Sequence, residues 1–285
     1  MNGFQITVRH LGRRGTRFSS SVKEDEIAKF GRMAREWWDP KGVMAPLHQM
    51  HGTRMEFVSK NACRWFQRDR EQHMPLRGLK ALDVGCGGGI ASESLARLGA
   101  DTTGIDMAQQ SLRIAQTHWR QQQYHEDDTG ALEYQRITAE ELAETHAGHF
   151  DLVVSLEVIE HVQHPAEFVK SLAKLLRPGG VMFLSTLNRT SKSYLIGIVG
   201  AEHVARVVPV GTHDWNHFVT LEEMDNMLLG ANMRRVRHTG MVMTPPTPLS
   251  LLSAVLSKNS PLAQCHLDDA DTDCNYLTMA VKDAL

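Results

Sequence analysis

The sequence predicts an α/β fold in which a mostly parallel sheet carries helices on both faces. Three observations point to it. Residues 79–84 form an apolar run the length of one buried strand. It breaks into the glycine turn Gly85-Cys86-Gly87-Gly88-Gly89, and 90–98 then space apolar residues as a helix does. An acid, Asp106, ends the next apolar strand 21 positions after Gly85, close to the roughly 20-residue spacing of a ribose-binding carboxylate. Strand and helix patterns then alternate over 75–190, as parallel strands joined by covering helices require.

The 285 residues, 42% of them apolar, suffice to bury a full core as one domain. The net charge of −2 hides an asymmetry: residues 1–23 hold Arg9, Arg13, Arg14, Arg17 and Lys23 and no acid, leaving 26 basic against 33 acidic residues in the rest. Such a body gives no support to nucleic-acid binding through a broad basic face. Residues 1–21 are Arg-rich, acid-free and end in Ser19-Ser20-Ser21, the composition of a mitochondrial transit peptide; a plain basic tail is the alternative. Cys63, Cys86, Cys265 and Cys274 are scattered without a Cys-x-x-Cys pair, so neither a zinc site nor a disulfide framework is suggested. No uncharged apolar stretch reaches 18 residues, so no spanning helix is expected. The expected organisation is a transit peptide over 1–21 and one domain over 22–285. Within that domain 24–70 is a helical cap, 75–190 a cofactor-binding core, 191–230 a lid or membrane-contact insertion, and 231–285 the C-terminal strands.

In the cap, Trp37 and Trp38 read as core anchors rather than ligand contacts. Arg54 can offer a fork of donors to a carboxylate, or make a surface salt bridge. The glycine turn then chooses the ligand class. A dinucleotide fingerprint needs Gly-x-Gly-x-x-Gly, yet position 90 is Ile and the third glycine falls early, at Gly89. S-adenosylmethionine (SAM) has no diphosphate to cradle, and Asp83 beside the turn can face its positive amino-acid end. Asp83, Gly85, Gly87 and Asp106 are therefore candidate cofactor residues. The third strand, 132–137, leads into a helix start with Thr138 as cap and Glu141 three residues on. Glu140 and Glu141 there either cap the helix or border an adenine.

The fourth strand, 150–156, runs into Glu157-Val158-Ile159-Glu160-His161-Val162. On a helix Glu157, Glu160 and His161 fall at i, i+3 and i+4, one face of one turn, at the carboxyl end of a central strand where ligands bind. Two carboxylates and an imidazole suit Mg²⁺. Alternatively His161 is a general base oriented by a carboxylate. A fifth strand, 181–186, follows the stop Pro178-Gly179-Gly180. The long apolar segment 194–208 is either core or a membrane-interface helix, and 210–218 gathers polar and aromatic residues suited to a phenolic pocket. A helix over 220–230, a strand near 234–243, a Pro-rich turn over 244–248, a variable stretch over 249–270 and a last strand over 275–282 complete seven strands.

Taken together, Glu26-Ile27-Ala28-Lys29-Phe30, Trp37-Trp38-Asp39, Pro46-Leu47-His48, the glycine turn after Asp83, Glu157 to Val162, Ser185-Thr186-Leu187-Asn188-Arg189, Val199-Gly200-Ala201-Glu202 and Gly211-Thr212-His213-Asp214 resemble the ubiquinone-biosynthesis O-methyltransferases in their mitochondrial form. The similarity covers 26–282 nearly throughout; His51 departs from it, where the family carries Asn. The resemblance implies a Rossmann-like SAM-dependent methyltransferase fold with a mostly parallel seven-stranded sheet. It also implies O-methylation of a dihydroxy-polyprenylbenzoate and of demethylubiquinol. It places SAM contacts on Arg54, Gly85, Asp106 and Leu156, and Mg²⁺ on Glu157, Glu160 and His161, with Glu160 and His161 next to the chemistry. Partners implied are other ubiquinone-biosynthesis proteins in a membrane-associated complex. The place implied is the matrix face of the mitochondrial inner membrane, reached peripherally through 194–208. Another small-molecule SAM methyltransferase and a SAM-binding scaffold subunit are the rival readings.

Overall fold

Parallel strands need apolar side chains on both faces, and the central strands here supply them. In the computed structural model, which describes residues 21–33, 36–195, 214–244 and 264–283, β1 (Lys80–Val84), β2 (Asp101–Ile105), β3 (Leu132–Gln135), β4 (Phe150–Leu156) and β5 (Leu176–Leu187) pair in parallel. With β6 (Met233–Thr244), β7 (Gln264–Asp268) and β8 (Asn275–Lys282) they form one sheet in the order β3-β2-β1-β4-β5-β8-β6-β7. β8 runs antiparallel between β5 and β6, and β7 runs antiparallel along β6.

Among the described residues the expected seven strands are therefore eight. β7 lies inside 249–270, read from the sequence as a variable stretch. It escapes the sequence pattern because it is a five-residue strand paired with β6 alone, and Gln264, His266 and Asp268 break its apolar run. β5 also starts earlier than expected, at Leu176. The Pro178-Gly179-Gly180 turn is absorbed as an irregularity in the pairing with β4, with Gly179 at φ 75°.

Two apolar layers result from the two-residue period of the strands. Leu82, Val84, Val153, Met182 and Leu184 point to the face covered by α5 (Ala139–Thr145), α6 (Pro165–Leu175) and α8 (Leu221–Gly230). Ala81, Leu152, Val154, Val181 and Phe183 point to the other, covered by α2 (Ala45–Trp65) and α3 (Ile90–Arg97). Phe57 of α2 meets Phe183 edge to face, with centroids 5.9 Å apart. Each such buried side chain contributes roughly 1.5–3 kcal/mol. α5 starts as the sequence predicts, with Thr138 and Glu141 forming a reciprocal capping box; Thr220 and Glu223 start α8 in the same way.

α1 (Glu24–Met33) and α4 (Gln109–Gln121) pack together beside β3. A single turn, α7 (Ser191–Ser193), follows β5. Residues 1–20, most of 194–208, Gly211, Thr212 and His213, and the Pro-rich turn with much of 249–270 lie outside the described residues. Among the described residues no helix is long and apolar enough to cross a membrane.

Candidate active site

The sheet order reverses between β1 and β4, since β2 and β3 extend one way and β5 the other. Crevices at such a switch point, beyond the strands' carboxyl ends, are where open α/β sheets bind ligands. A cavity of about 1070 Å³ lies there, and Arg54, Asp83, Gly85, Gly87, Asp106, Leu156, Glu157, Glu160 and His161 all line it. The structure thus brings these nine candidates to one cavity, whereas Glu141, the other acid of the α5 start, is not among its lining.

The glycine turn is built by close approach. Gly85 sits at φ 72°, and a Cβ there would lie 2.5 Å from Val158 Cγ2; at Gly87, φ 53°, it would lie 2.4 Å from Trp37 Cη2. Trp37 is buried and donates its Nε1–H to Ser111 Oγ, while Trp38 donates to the Gly88 carbonyl at 3.0 Å and stacks on His118 at 3.5 Å. Trp37 is a core anchor as expected but also lines the cavity, Trp38 is half-buried, and both rings hold the ligand turn. Asp106 accepts the Gly87 N–H at 2.9 Å and the Ala108 N–H at 2.7 Å, tying the end of β2 to the turn after β1. Burial nevertheless raises its pKa against those backbone donors.

Asp83 is buried and accepts from Ser92 Oγ at 2.6 Å. Desolvation pushes its pKa up to about 6, with Asp106 adding to the shift. A cation placed against it would offset that cost. Glu140 offers a second uncompensated acceptor: its Oε1 takes the Ser21 N–H, whereas its buried Oε2 has no hydrogen-bond partner.

Arg54 corrects the surface salt-bridge expectation. It is 4% exposed, with Nη2 2.9 Å from Glu157 Oε1 and 3.6 Å from Met50 Sδ, and its Nε is left without a partner. Breaking a buried pair of this kind costs about 3–5 kcal/mol. His51, beside it, accepts or donates through Nε2 to Ser94 Oγ at 2.7 Å. Burial, together with the Arg54 and Arg97 charges, lowers its pKa to about 4, so it sits there as a neutral polar group.

Glu157, Glu160 and His161 do not share one helical face. Glu157 adopts φ 56°, and only Ile159–His161 form a turn, of the tight three-residue kind. The left-handed residue costs on the order of 1–3 kcal/mol. It is held by its N–H to the Ser185 carbonyl at 3.1 Å and by Ser185 Oγ donating to Glu157 Oε1 at 2.7 Å. Glu160 accepts from Thr186 Oγ1 at 2.9 Å; burial and then the Glu157 charge push its pKa up to about 7. His161 Nδ1 turns instead to Glu26 Oε2, 2.9 Å away.

Among the described residues no three of His, Cys, Asp and Glu converge as they would around an ion. As placed, the trio does not fit a metal, because Arg54 and Glu26 hold two of its members. Sequence reasoning missed Ser92, Val158, Ser185, Thr186 and Glu26 as supporting groups. The signal for the middle pair was Ser185-Thr186 at the end of a strand next to β4.

An α/β sheet with this glycine turn and ribose-spaced acid defines a SAM-dependent methyltransferase. Residues 47–251 match the model of a methyltransferase domain family. The fold is similar to that of magnesium protoporphyrin IX methyltransferase from Synechocystis, solved with bound SAH, at TM-score 0.56 over 90% of this chain and 94% of that one, with 17% identity. The chain is 46% identical, over 86% of its length and 75% of the relative's, to the mitochondrial ubiquinone biosynthesis O-methyltransferase of Arabidopsis thaliana. It is 42% identical, over 93% of its length and 96% of the relative's, to the ubiquinone biosynthesis O-methyltransferase of Caulobacter vibrioides. The chain belongs to the ubiquinone biosynthesis O-methyltransferase family.

Proposed function

We propose that this enzyme transfers the SAM methyl group to one hydroxyl of a polyprenylated catechol, of the dihydroxy-polyprenylbenzoate and demethylubiquinol kind, on the route to ubiquinone. The observation that carries the reading is that a single cavity joins the glycine turn, Asp83 and Asp106 to Arg54, Glu157, Glu160 and His161. Asp106 presents its carboxylate to ribose hydroxyls, Glu140 Oε2 suits the exocyclic amine of adenine, Asp83 faces the amino-acid ammonium, and Arg54 Nε offers a donor to the carboxylate of SAM.

A phenol has a pKa of about 10, so the attacking oxygen needs a base. His161 takes the phenolic proton as the oxygen attacks the methyl carbon. The O–C bond forms, the C–S bond breaks, and its electron pair returns to sulfur, leaving neutral thioether S-adenosylhomocysteine. Proximity of the oriented pair supplies up to roughly 7–11 kcal/mol of the barrier.

Mg²⁺ at Glu157, Glu160 and His161 is the second reading. It is favoured by the crowding of two carboxylates that raises Glu160, and it requires Arg54 and Glu26 to give up their partners. When bound, such an ion would acidify the catechol.

Placement on the matrix face of the mitochondrial inner membrane rests on the acid-free basic residues 1–23 and on Leu195, 61% exposed where the apolar 194–208 segment begins. Association with other enzymes of the same route is part of this proposal, since the polyprenyl substrate is too apolar to leave the membrane freely.

The test is methyl transfer from labelled SAM to a short-chain catechol, with the product's methyl located, in Mg²⁺ and after EDTA. Label on oxygen supports the proposal, while label on carbon or nitrogen, or none, overturns it. Loss of activity with EDTA and its return with Mg²⁺ favours the ion; indifference to EDTA favours His161 acting unaided.

A further inference from the structure

We infer that Asn275, the first residue of β8, is a substrate-binding residue whose side-chain oxygen accepts a hydrogen bond from the catechol hydroxyl that is not methylated. The inference deepens the catechol reading above and rests on it. The Asn275 side chain lines the same cavity, and the residue is only 6% exposed. Its Nδ2 donates to Met50 Sδ at 3.7 Å, while its buried Oδ1 has no hydrogen-bond partner. A thioether sulfur only accepts, so the amide nitrogen belongs on that side and the oxygen is turned away from it. A buried carbonyl oxygen left unpaired carries a desolvation cost, which a donor brought by a ligand would remove.

The place of Asn275 in the sheet selects the ligand. Leu277 and Met279 of β8 belong to the layer under α2, so the two-residue strand period turns Asn275 to that face as well, toward Met50. The turn before it is fixed: the Asn188 N–H donates to the Cys274 carbonyl at 2.9 Å, and Asn188 Nδ2 to the Thr272 carbonyl at 2.8 Å. β8 is three strand positions from β1, roughly 14 Å at the usual spacing, on the far side of β4 from Asp106. The donors of SAM have their acceptors on that other side, in Asp83, Asp106 and Glu140. Asn275 belongs to the acceptor half, since Met50 Sδ also takes Arg54 Nη2 at 3.6 Å, and Arg54 pairs with Glu157. Past Asn275 the lining turns apolar, with Met241, Val242 and Met243 of β6, which suits the alkylated side of a ring. During transfer the attacking oxygen gives up its proton, whereas the neighbouring hydroxyl keeps one to donate. Oδ1 has no basicity to remove a proton, so it holds that neighbour and thereby decides which oxygen faces the methyl group.

The test is calorimetry on the full-length enzyme saturated with S-adenosylhomocysteine, titrated with a short-chain catechol and with its two monohydroxy analogues. In the wild type the analogue lacking the bound hydroxyl should bind about tenfold more weakly than the catechol, the scale of one neutral hydrogen bond. In Asn275→Leu and in Asn275→Ala the catechol should weaken about tenfold and that analogue by less than about threefold, so the difference closes. SAM affinity should stay within about threefold, and methyl transfer to the catechol should spread from one oxygen to both. The inference is overturned when the variants keep the difference between catechol and analogue, or when both ligands weaken alike, as lost packing would make them. It is also overturned when SAM affinity falls by more than about threefold, which would put Oδ1 on the SAM ammonium. Asn275→Ala decides alone should Asn275→Leu not fold. A wild type that methylates the catechol yet binds both analogues as tightly overturns the inference and leaves the catechol reading standing. A wild type that neither binds nor methylates the catechol fails at that reading, and the inference falls with it.

Discussion

The two halves of the cavity are made by different means. The cofactor half is local and made of backbone. One strand, one glycine turn and one acid, all within 83–106, supply its shape, and the contacts that set it are N–H groups aimed at Asp106 and rings pressed on missing Cβ positions. The acceptor half is assembled from side chains far apart in sequence. Glu26, Glu157, Glu160, Ser185 and Thr186 arrive from α1, the end of β4 and β5, and Arg54 of α2 joins the two halves through its pair with Glu157. A backbone-built site tolerates almost no added volume, whereas a side-chain site depends on keeping several ion pairs satisfied at once.

The largest effect is expected on the cofactor side. Gly87→Ala places a Cβ 2.4 Å from the Trp37 ring at a left-handed φ, so the turn must move. SAM affinity measured by calorimetry should fall at least 100-fold while the circular dichroism of the sheet stays native. A loss of less than threefold would mean the turn does not grip the cofactor.

Next is Arg54→Leu, which strands Glu157 in a half-buried position beside a buried hole. It should lose about 3–5 kcal/mol of stability in urea unfolding, and SAM affinity with it. Glu157→Gln tests the same pair from the other side and should cost less, since the amide still accepts from Ser185 Oγ.

Asp83 gives a smaller, pH-dependent contrast. Its folded pKa, about 6, lies above the ordinary 3.8 because of burial. The folded state therefore holds its proton more tightly. The stability this contributes is full below about pH 3.8 and is lost as pH rises through about 6. Ligand-free Asp83→Asn should lose that slope and gain roughly 1–3 kcal/mol at pH 8, at about 1.4 kcal/mol per unit. Its affinity for SAM should fall because the ammonium loses its counter-charge. Unchanged SAM affinity would remove Asp83 from the cofactor's amino-acid end.

The smallest effect is at His51. Its pKa is depressed to about 4 by burial and two arginines, so its contribution is full above pH 6.5 and lost as pH falls through about 4. His51→Asn, whose amide can still pair with Ser94 Oγ, should flatten acid unfolding in that window and alter stability at pH 7 by about 1 kcal/mol or less.

The same contrast explains what could be read from the sequence. The turn after Asp83 and the acid at Asp106 were legible because local chemistry dictates them: glycines at positive φ and a fixed spacing leave few alternatives. β8 was legible from 275 to 282 as a largely apolar run, and it is where the pattern placed it. β7 was not, since an edge strand is defined by hydrogen bonds to β6 rather than by its own side chains. The Glu157 to His161 segment was legible as a functional loop, but not in its form. A left-handed Glu157 is imposed by Ser185 across the sheet, and helical spacing carries no trace of that. Arg54 looked like a surface residue because nothing near it in sequence announces the half-buried Glu157 it pairs with. Glu26 stood in a recognisable motif, yet its partner is 135 positions away.

The most direct test of the account is one comparison on His161→Ala: SAM affinity by calorimetry beside turnover of a short-chain catechol. The account predicts affinity within about threefold of the wild type and a kcat lower by at least 100-fold, the low end of what a general base supplies. A kcat within threefold of the wild type, or an affinity for SAM that falls as far as turnover does, would contradict the division of the cavity into a backbone-built cofactor half and a side-chain-built acceptor half.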